Sequence, residues 1–189
     1  MLHTTLGLLS GLQPRGVDYR ELEQALGEGK VYGQDTPIPV VKILDALGLE
    51  AALGCLDCTV EDGAGMERLL AADYAERVLR YFEEAVPDDS RPRDAIEAAR
   101  KFAKGEISSD SRSWYYSEAW DAVLLVDRHT PPSKGAVAAM CCVEGAQRLA
   151  LATQFAALEA VSLAKGEEAA AAEERWQAAR LREYLEGGE

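Results

Sequence analysis

Four cysteines are the side chains best suited to chemistry in this chain, and they occur as two close pairs. The Cys55-x-x-Cys58 spacing is half of a zinc knuckle and also the spacing of dithiol redox motifs. A second pair at knuckle spacing is missing, because Cys141 and Cys142 are adjacent and would point about 100° apart on a helix. We therefore expect no metal and no cofactor, and four thiols buried as small apolar side chains.

Catalysis by a nucleophile needs a base beside it, and the sequence offers few bases. Only two histidines occur, His3 and His129, and neither has a spacing typical of a ligand or a catalytic pair. The chain has no Gly-x-Ser-x-Gly elbow, no Walker loop and no dinucleotide fingerprint. We expect no catalytic residues and a protein that is not an enzyme. The alternative from another class is a small metal-dependent or redox protein that uses Cys55 and Cys58.

A cluster of aromatic residues, Trp114-Tyr115-Tyr116 followed by Trp120, has the composition of a binding surface. Trp and Tyr are enriched among the residues that anchor protein–protein interfaces. Packing in a core is the alternative interpretation. Four such residues within one short helical stretch cannot all face one side, so we expect at least one to be exposed. Trp114, Tyr115 and Tyr116 are therefore candidate partner-binding residues.

The charge balance restricts the partners, since 33 acidic and 20 basic residues give a net charge of −13. Such a surface repels phosphate backbones and anionic lipid headgroups, so we expect no direct binding of nucleic acid and no membrane association. The acids are dense in a predicted loop that begins at Asp57. Its carboxylates Asp57, Glu61 and Asp62 are candidate contacts to a basic protein surface.

One group of basic residues stands against this background, on the predicted helix that follows Ser90. Helix-dipole interactions and neighbouring acids account for most of it. The alternative function is a helical dimer that binds nucleic acid through the helix from Arg91 to Lys104. The basic cluster consists of Arg91, Arg93, Arg100, Lys101 and Lys104.

The elements that must position these side chains are predicted to be helices. The chain has 31 Ala and 23 Leu, whereas Val, Ile and Thr together number 22, and no segment alternates as a strand does. We expect an all-α fold with a single domain over residues 1–189. An irregular N-terminal segment, 1–37, with one short helix would precede a compact multi-helix bundle, 38–189. Predicted helices cover residues 19–26, 40–47, 49–56, 66–85, 91–104, 111–127, 133–165 and 167–185.

The first residues give no indication of export. Residues 1–9 lack the basic region of a signal peptide, and no apolar run approaches the roughly 18 residues of a membrane span. Two adjacent cysteines and one short Cys-x-x-Cys are too few for a secreted disulfide framework. We therefore expect a cytoplasmic protein.

The segment from Asp88 to Glu106, with its Arg-Pro-Arg-Asp-Ala-Ile-Glu-Ala-Ala-Arg core, resembles a known family, the Imm-5-like immunity proteins of bacteria and their phages. Residues 74–83 and the Trp176-Gln177 pair are also similar to it, so the resemblance covers residues 39–186. Members typically carry alanine-rich near-repeats after the Gly-Glu pair. Here the aromatic segment 114–125 takes their place, which indicates a specialised surface.

The resemblance implies a small helical protein without catalytic residues, located in the cytoplasm of a bacterial host cell. It implies a toxin-immunity role, and the phage association implies inhibition of a bacterial defence system, as by an anti-CRISPR protein. Together with the acidity, it predicts a non-catalytic inhibitor that binds a protein partner with a basic surface. The partner's groove would be one that handles nucleic acid. The sequence leaves open whether the chain is a monomer or a homodimer.

Overall fold

The computed structural model of the chain describes residues 1–26, 32–145 and 149–187. The protein is 73% helical, and its described residues form ten α-helices and two strands of two residues each. The predicted all-α class is confirmed. The helices are α1 Leu6–Leu12, α2 Tyr19–Ala25, α3 Val40–Leu47, α4 Leu49–Gly54, α5 Ala64–Ala85, α6 Arg91–Ala103, α7 Ser109–Val123, α8 Pro131–Val143, α9 Leu149–Lys165 and α10 Glu167–Glu186.

Packing divides the chain into two compact units. Unit 1 comprises Met1–Ala64 and Ala178–Glu189, and unit 2 comprises Gly65–Gln177. Within the described residues, no helix is both long enough and apolar enough to cross a bilayer.

Unit 1 contains the short helices α1 to α4 and a 3-10 turn at Leu56–Cys58. The strands β1 (His3–Thr4) and β2 (Ile38–Pro39) pair antiparallel. The sequence predicted one short helix before residue 38, whereas two are present, because α1 also forms. Thr5 caps α1 by accepting a hydrogen bond from the Leu8 amide, and the burial of Leu9 holds the helix in place despite its two glycines.

Unit 2 is organised around α5, whose buried apolar side chains recur at helical spacing. Among them, Tyr74, Val78 and Phe82 are fully buried. The tyrosine hydroxyl donates a 2.8 Å hydrogen bond to the carbonyl oxygen of Gln177 on α10. Phe82 packs in a cluster with Ala122 of α7 and Ala136 of α8, so α5 holds both later helices.

The prediction of one long helix over 133–165 is wrong. Helix α8 ends at Val143, Glu144 has extended backbone angles, and α9 begins at Leu149. Residues 146–148 lie outside the described part of the chain. Helices α8 and α9 pack against each other. The alanine-rich stretch that predicted one continuous helix therefore forms two packed helices.

Gly135 brings α8 unusually close to α5. A Cβ atom at this position would lie 2.8 Å from the carbonyl oxygen of Val78, a separation that real Cβ atoms essentially never show. The obstacle is helix backbone, which cannot rotate away as a side chain can. The absence of a side chain at Gly135 therefore sets the distance between the two helices.

Replacing Gly135 by Ala is expected to lower the free energy of unfolding by about 1–3 kcal/mol, the usual cost of overpacking a core. The matched control is Gly65→Ala in α5, where the nearest atom to a Cβ, the Ala103 oxygen, is 3.5 Å away. That control should be neutral or stabilising by about 0.4–1 kcal/mol. Urea unfolding followed by circular dichroism measures both. Equal stabilities of the two variants would contradict the close α5–α8 approach.

Candidate protein-binding surface

Helix α7 presents large apolar side chains to solvent. Its inner side is made of small residues, Ala119 and Ala122, both fully buried, and the helix packs between α6 and α8. Small inward residues leave no buried place for the bulky ones, which therefore lie outward. Four of the nine exposed large apolar residues of the described chain fall in this helix and the turn after it. They are Trp114 (57% exposed), Trp120 (46%), Leu124 (57%) and Leu125 (59%).

Acidic residues border these apolar side chains. Asp110 and Asp121 are exposed, and Glu118 is half-buried. We call the acids Asp110, Glu118 and Asp121, together with the apolar residues Trp114, Trp120, Leu124 and Leu125, the α7 surface. A contiguous set of exposed apolar side chains on one helix is a feature of protein-binding surfaces.

Arg112 fixes the start of α7 against unit 2. Its guanidinium donates a 2.7 Å hydrogen bond to the carbonyl oxygen of Val143, the last residue of α8, and lies 5.4 Å from the centre of the Phe102 ring. The Ser108 hydroxyl caps the same helix by accepting a hydrogen bond from the Ser111 amide. Trp114 follows Arg112 by two residues, so the anchoring of Arg112 determines where this tryptophan emerges.

Arg68 of α5 holds the same end of α8. It is buried, its Nη1 donates hydrogen bonds of 3.0 and 2.9 Å to the carbonyl oxygens of Cys142 and Glu144, and its guanidinium lies 5.0 Å from the centre of the Phe102 ring. Burial lowers the pKa of Arg68, and the charge of Arg112 lowers it further. Two cations thus satisfy carbonyls that a helix end leaves without partners. We call Arg68, Phe102 and Arg112 the α8 clamp.

Glu67, the neighbour of Arg68, serves the next helix. This buried carboxylate accepts a 3.1 Å hydrogen bond from the Ala150 amide in the first turn of α9. Negative charge suits a helix N-terminus as positive charge suits a C-terminus. Consecutive residues of α5 therefore fix the end of α8 and the start of α9, which explains why the predicted long helix is interrupted here.

The predicted aromatic residues separate on the two sides of α7. Trp114 is exposed and contacts Tyr115 edge to face, with ring centres 4.8 Å apart. Tyr115 and Tyr116 are half-buried. Burial raises the pKa of the Tyr116 hydroxyl, and the charges of Glu144 and Cys141 add to this effect. The predicted site residues do not include Trp120, although helical spacing places it away from Ala119 and Ala122, on the exposed side of α7.

The predicted acidic loop lies in unit 1, and its carboxylates take part in local structure. Glu61 accepts hydrogen bonds from the His3 amide (2.7 Å) and ring Nδ1 (2.8 Å), and these lower its pKa. Asp62 accepts one from the Ala64 amide at the start of α5. Asp57 is half-buried, with its Oδ2 atom inaccessible to solvent. Glu61 and Asp62 remain exposed.

The basic cluster on α6 is largely engaged by acids of the same unit. Arg100 pairs with Asp73 and Glu76 of α5, at 2.9 and 2.7 Å. Arg91 pairs with Asp89 at 2.6 Å. Arg93 pairs with Glu83, also of α5. These contacts neutralise the three arginines that the nucleic-acid alternative needs, two of them through acids of α5.

All four cysteines are buried, and none of them forms a disulfide bond. Burial raises the pKa of Cys55 to about 12, with a contribution from Cys58, and raises that of Cys141 to about 12, with a contribution from Glu144. Burial also raises the pKa of Cys142. Within residues 1–26, 32–145 and 149–187, no group of three or more His, Cys, Asp or Glu side chains is arranged to hold a metal ion.

The α-helical fold and the α7 surface define a class: a helical protein with a surface suited to a protein partner. Residues 68–113 match the family described as "Imm-5 like putative immunity protein". The match confirms the resemblance predicted from the sequence over this segment, which is about a quarter of the 189-residue chain. It begins at Arg68 and ends one residue after Arg112, so it contains the whole α8 clamp. No curated protein and no solved structure matches the chain.

Replacing Arg68 by Met is expected to lower the free energy of unfolding by about 1–3 kcal/mol, because the carbonyls of Cys142 and Glu144 lose a charged donor. Arg175→Met, at an exposed position of α10, is the control and should change stability by less than about 0.5 kcal/mol. Denaturant unfolding measures both. Equal effects would show that the α8 clamp adds nothing to stability.

The raised thiol pKa values predict slow thiol chemistry in the folded protein, because thiolate is the reactive form. Native protein at pH 8 should react with a disulfide reagent far more slowly than the urea-unfolded chain, which should show four thiols. The folded pKa of Cys55 exceeds the ordinary value of 9.0, so its contribution to stability is complete below pH 9 and is lost between pH 9 and about 12. Rapid native labelling at pH 8 would contradict this account.

Proposed function

We propose that the chain is a non-catalytic immunity or inhibitor protein that acts by binding a basic protein partner through the α7 surface. The observation that carries the proposal is the cluster of exposed tryptophan and leucine side chains bordered by acids on a helix anchored in unit 2. The family matched by residues 68–113, described as immunity proteins, supports a protective role exerted by binding another protein.

The acidity of the chain supports a basic partner. A net charge of −13 attracts cationic surfaces over distances of about 10 Å at moderate salt, which accelerates association. Basic grooves that bind nucleic acid are surfaces of this kind. By occupying such a groove, the chain would exclude the phosphate backbone of the nucleic acid. Exclusion of this kind would inhibit a toxin nuclease or a defence complex that handles nucleic acid.

Two regions have separate roles in this proposal. The α7 surface supplies the buried contacts, because tryptophan and leucine lose water-exposed area when covered. The exposed carboxylates Glu61 and Asp62 of unit 1 contribute to the attractive field without being part of the α7 surface. Substitutions in the two regions should therefore affect different rate constants.

The test begins with capture of partners from the native host and continues with the purified partner, identified by mass spectrometry. The double variant Trp120→Ser with Leu124→Ser is expected to weaken its equilibrium affinity at least tenfold, mainly by faster dissociation. The control is Leu163→Ser on α9, an exposed leucine (47%) outside the α7 surface, which should change affinity less than twofold.

Neutralising the loop by Glu61→Gln with Asp62→Asn keeps the hydrogen-bond acceptors and removes two charges. We expect slower association at low salt and an unchanged rate at high salt, where screening removes the attraction. Surface plasmon resonance at several salt concentrations measures both rate constants. A partner that binds the α7 double variant as tightly as the original chain would overturn the proposed function.

A further inference from the structure

One side of α7 combines an open indole ring with carboxylates. Asp110, Trp114 and Glu118 follow one another at four-residue intervals, and residues at this spacing are neighbours along one face of a helix. Asp121 follows Trp114 by seven residues, two helical turns, and so lies on the same side. Trp114 is 57% exposed, and the acids border it toward both ends of the helix.

The Trp114 ring is held in place by its neighbour. The Tyr115 ring contacts it edge to face, with an interplanar angle of 76°. Aromatic pairs in this geometry restrict each other's motion. An exposed indole attracts cations through its ring face, and nearby carboxylates strengthen that attraction.

The chain already uses this chemistry within unit 2. The Arg77 guanidinium lies 4.0 Å from the centre of the Trp176 ring, and its Nε donates hydrogen bonds of 3.0 and 2.9 Å to the two carboxylate oxygens of Glu173. Glu173 and Trp176 are one turn apart on α10. A tryptophan and a carboxylate at helical spacing thus contact one arginine side chain together in this protein.

Two arginines that lie on or interact with α7 donate their hydrogen bonds to other groups. Arg112 donates to the Val143 carbonyl, and Arg91 donates to both carboxylate oxygens of Asp89. The hydrogen bond to Asp89 is the main cause that raises the pKa of Arg91. The charges of Glu118 and Asp121 raise the same pKa by smaller amounts. The Trp114 ring and the Asp110 carboxylate are exposed, so a cationic side chain of another protein can reach both.

We propose that Trp114, Asp110 and Glu118 form a site for an arginine side chain of the protein partner; this inference rests on the proposed function. A guanidinium stacks on an aromatic ring and donates to carboxylates at the same time, and it is less strongly hydrated than an ammonium group. Arginine therefore fits the site better than lysine. A second copy of this chain does not fit, because pairing two α7 surfaces would bring their like charges together.

The test uses two acetylated hexapeptides of alternating glycine with either arginine or lysine, which have equal charge. The full chain is labelled with ¹⁵N, and the three tryptophan indole signals are assigned by single Trp→Phe variants. Titration with the arginine peptide should shift the Trp114 indole signal. The affinity of the chain for the arginine peptide, fitted from this shift, should be at least threefold higher than its affinity for the lysine peptide. The Trp176 signal, whose ring is covered by Arg77, serves as the internal control.

The variants Asp110→Asn with Glu118→Gln, and separately Trp114→Leu, should each reduce arginine-peptide affinity at least threefold. Leu163→Ala, at an exposed position of α9 outside the α7 surface, is the control and should leave it unchanged. An equal response to both peptides, or no shift at Trp114, overturns the arginine site.

Partner binding separates this inference from the proposed function. A partner whose affinity falls with Trp120→Ser and Leu124→Ser, but is unchanged by Trp114→Leu, overturns the arginine site and leaves the proposed function standing. A partner unaffected by either set of changes overturns the proposed function itself. Loss of affinity with both sets supports the two proposals together.

Discussion

The end of α8 is the point on which the arrangement of unit 2 depends. Its last carbonyl groups are partly buried, where an unpaired carbonyl is costly, and two guanidiniums satisfy them. Arg68 comes from α5 and Arg112 from α7, and both lie against the ring of Phe102 on α6. Three helices are thereby fixed to the end of a fourth. The adjacent Glu67 extends the same arrangement to α9.

This arrangement connects the interior to the proposed binding surface. Because Arg112 is held at the α8 terminus, α7 is fixed in rotation, and its small residues Ala119 and Ala122 face inward. The large side chains Trp114, Trp120, Leu124 and Leu125 are then left exposed. The family match over 68–113 spans the residues of the α8 clamp and ends just before Trp114. The match therefore contains the α8 clamp and Asp110, and the other residues of the α7 surface lie outside it.

The alanine and leucine content was sufficient to predict the all-α class, because these residues favour helix over strand. Gly145 indicated a possible break in the alanine-rich stretch, but the groups that hold the end of α8, Arg68 and Arg112, are far away in sequence and could not be predicted. Nor could the sequence show that Glu61 binds His3. The sequence predicted that at least one aromatic residue of α7 is exposed. Predicting the exposure of Leu124 and Leu125 requires knowing which side of α7 packs inward through its alanines. The close approach at Gly135 likewise depends on a distant backbone oxygen.

The central claim is that the outer side of α7 is where the partner binds. Hydrogen–deuterium exchange of the full chain, with and without a bound partner, tests this claim without any substitution. The account predicts slower exchange on binding for the amides of residues 109–125, with the amides of α9 unchanged. Protection confined to another part of the chain, with α7 exchanging at its unbound rate, would contradict it.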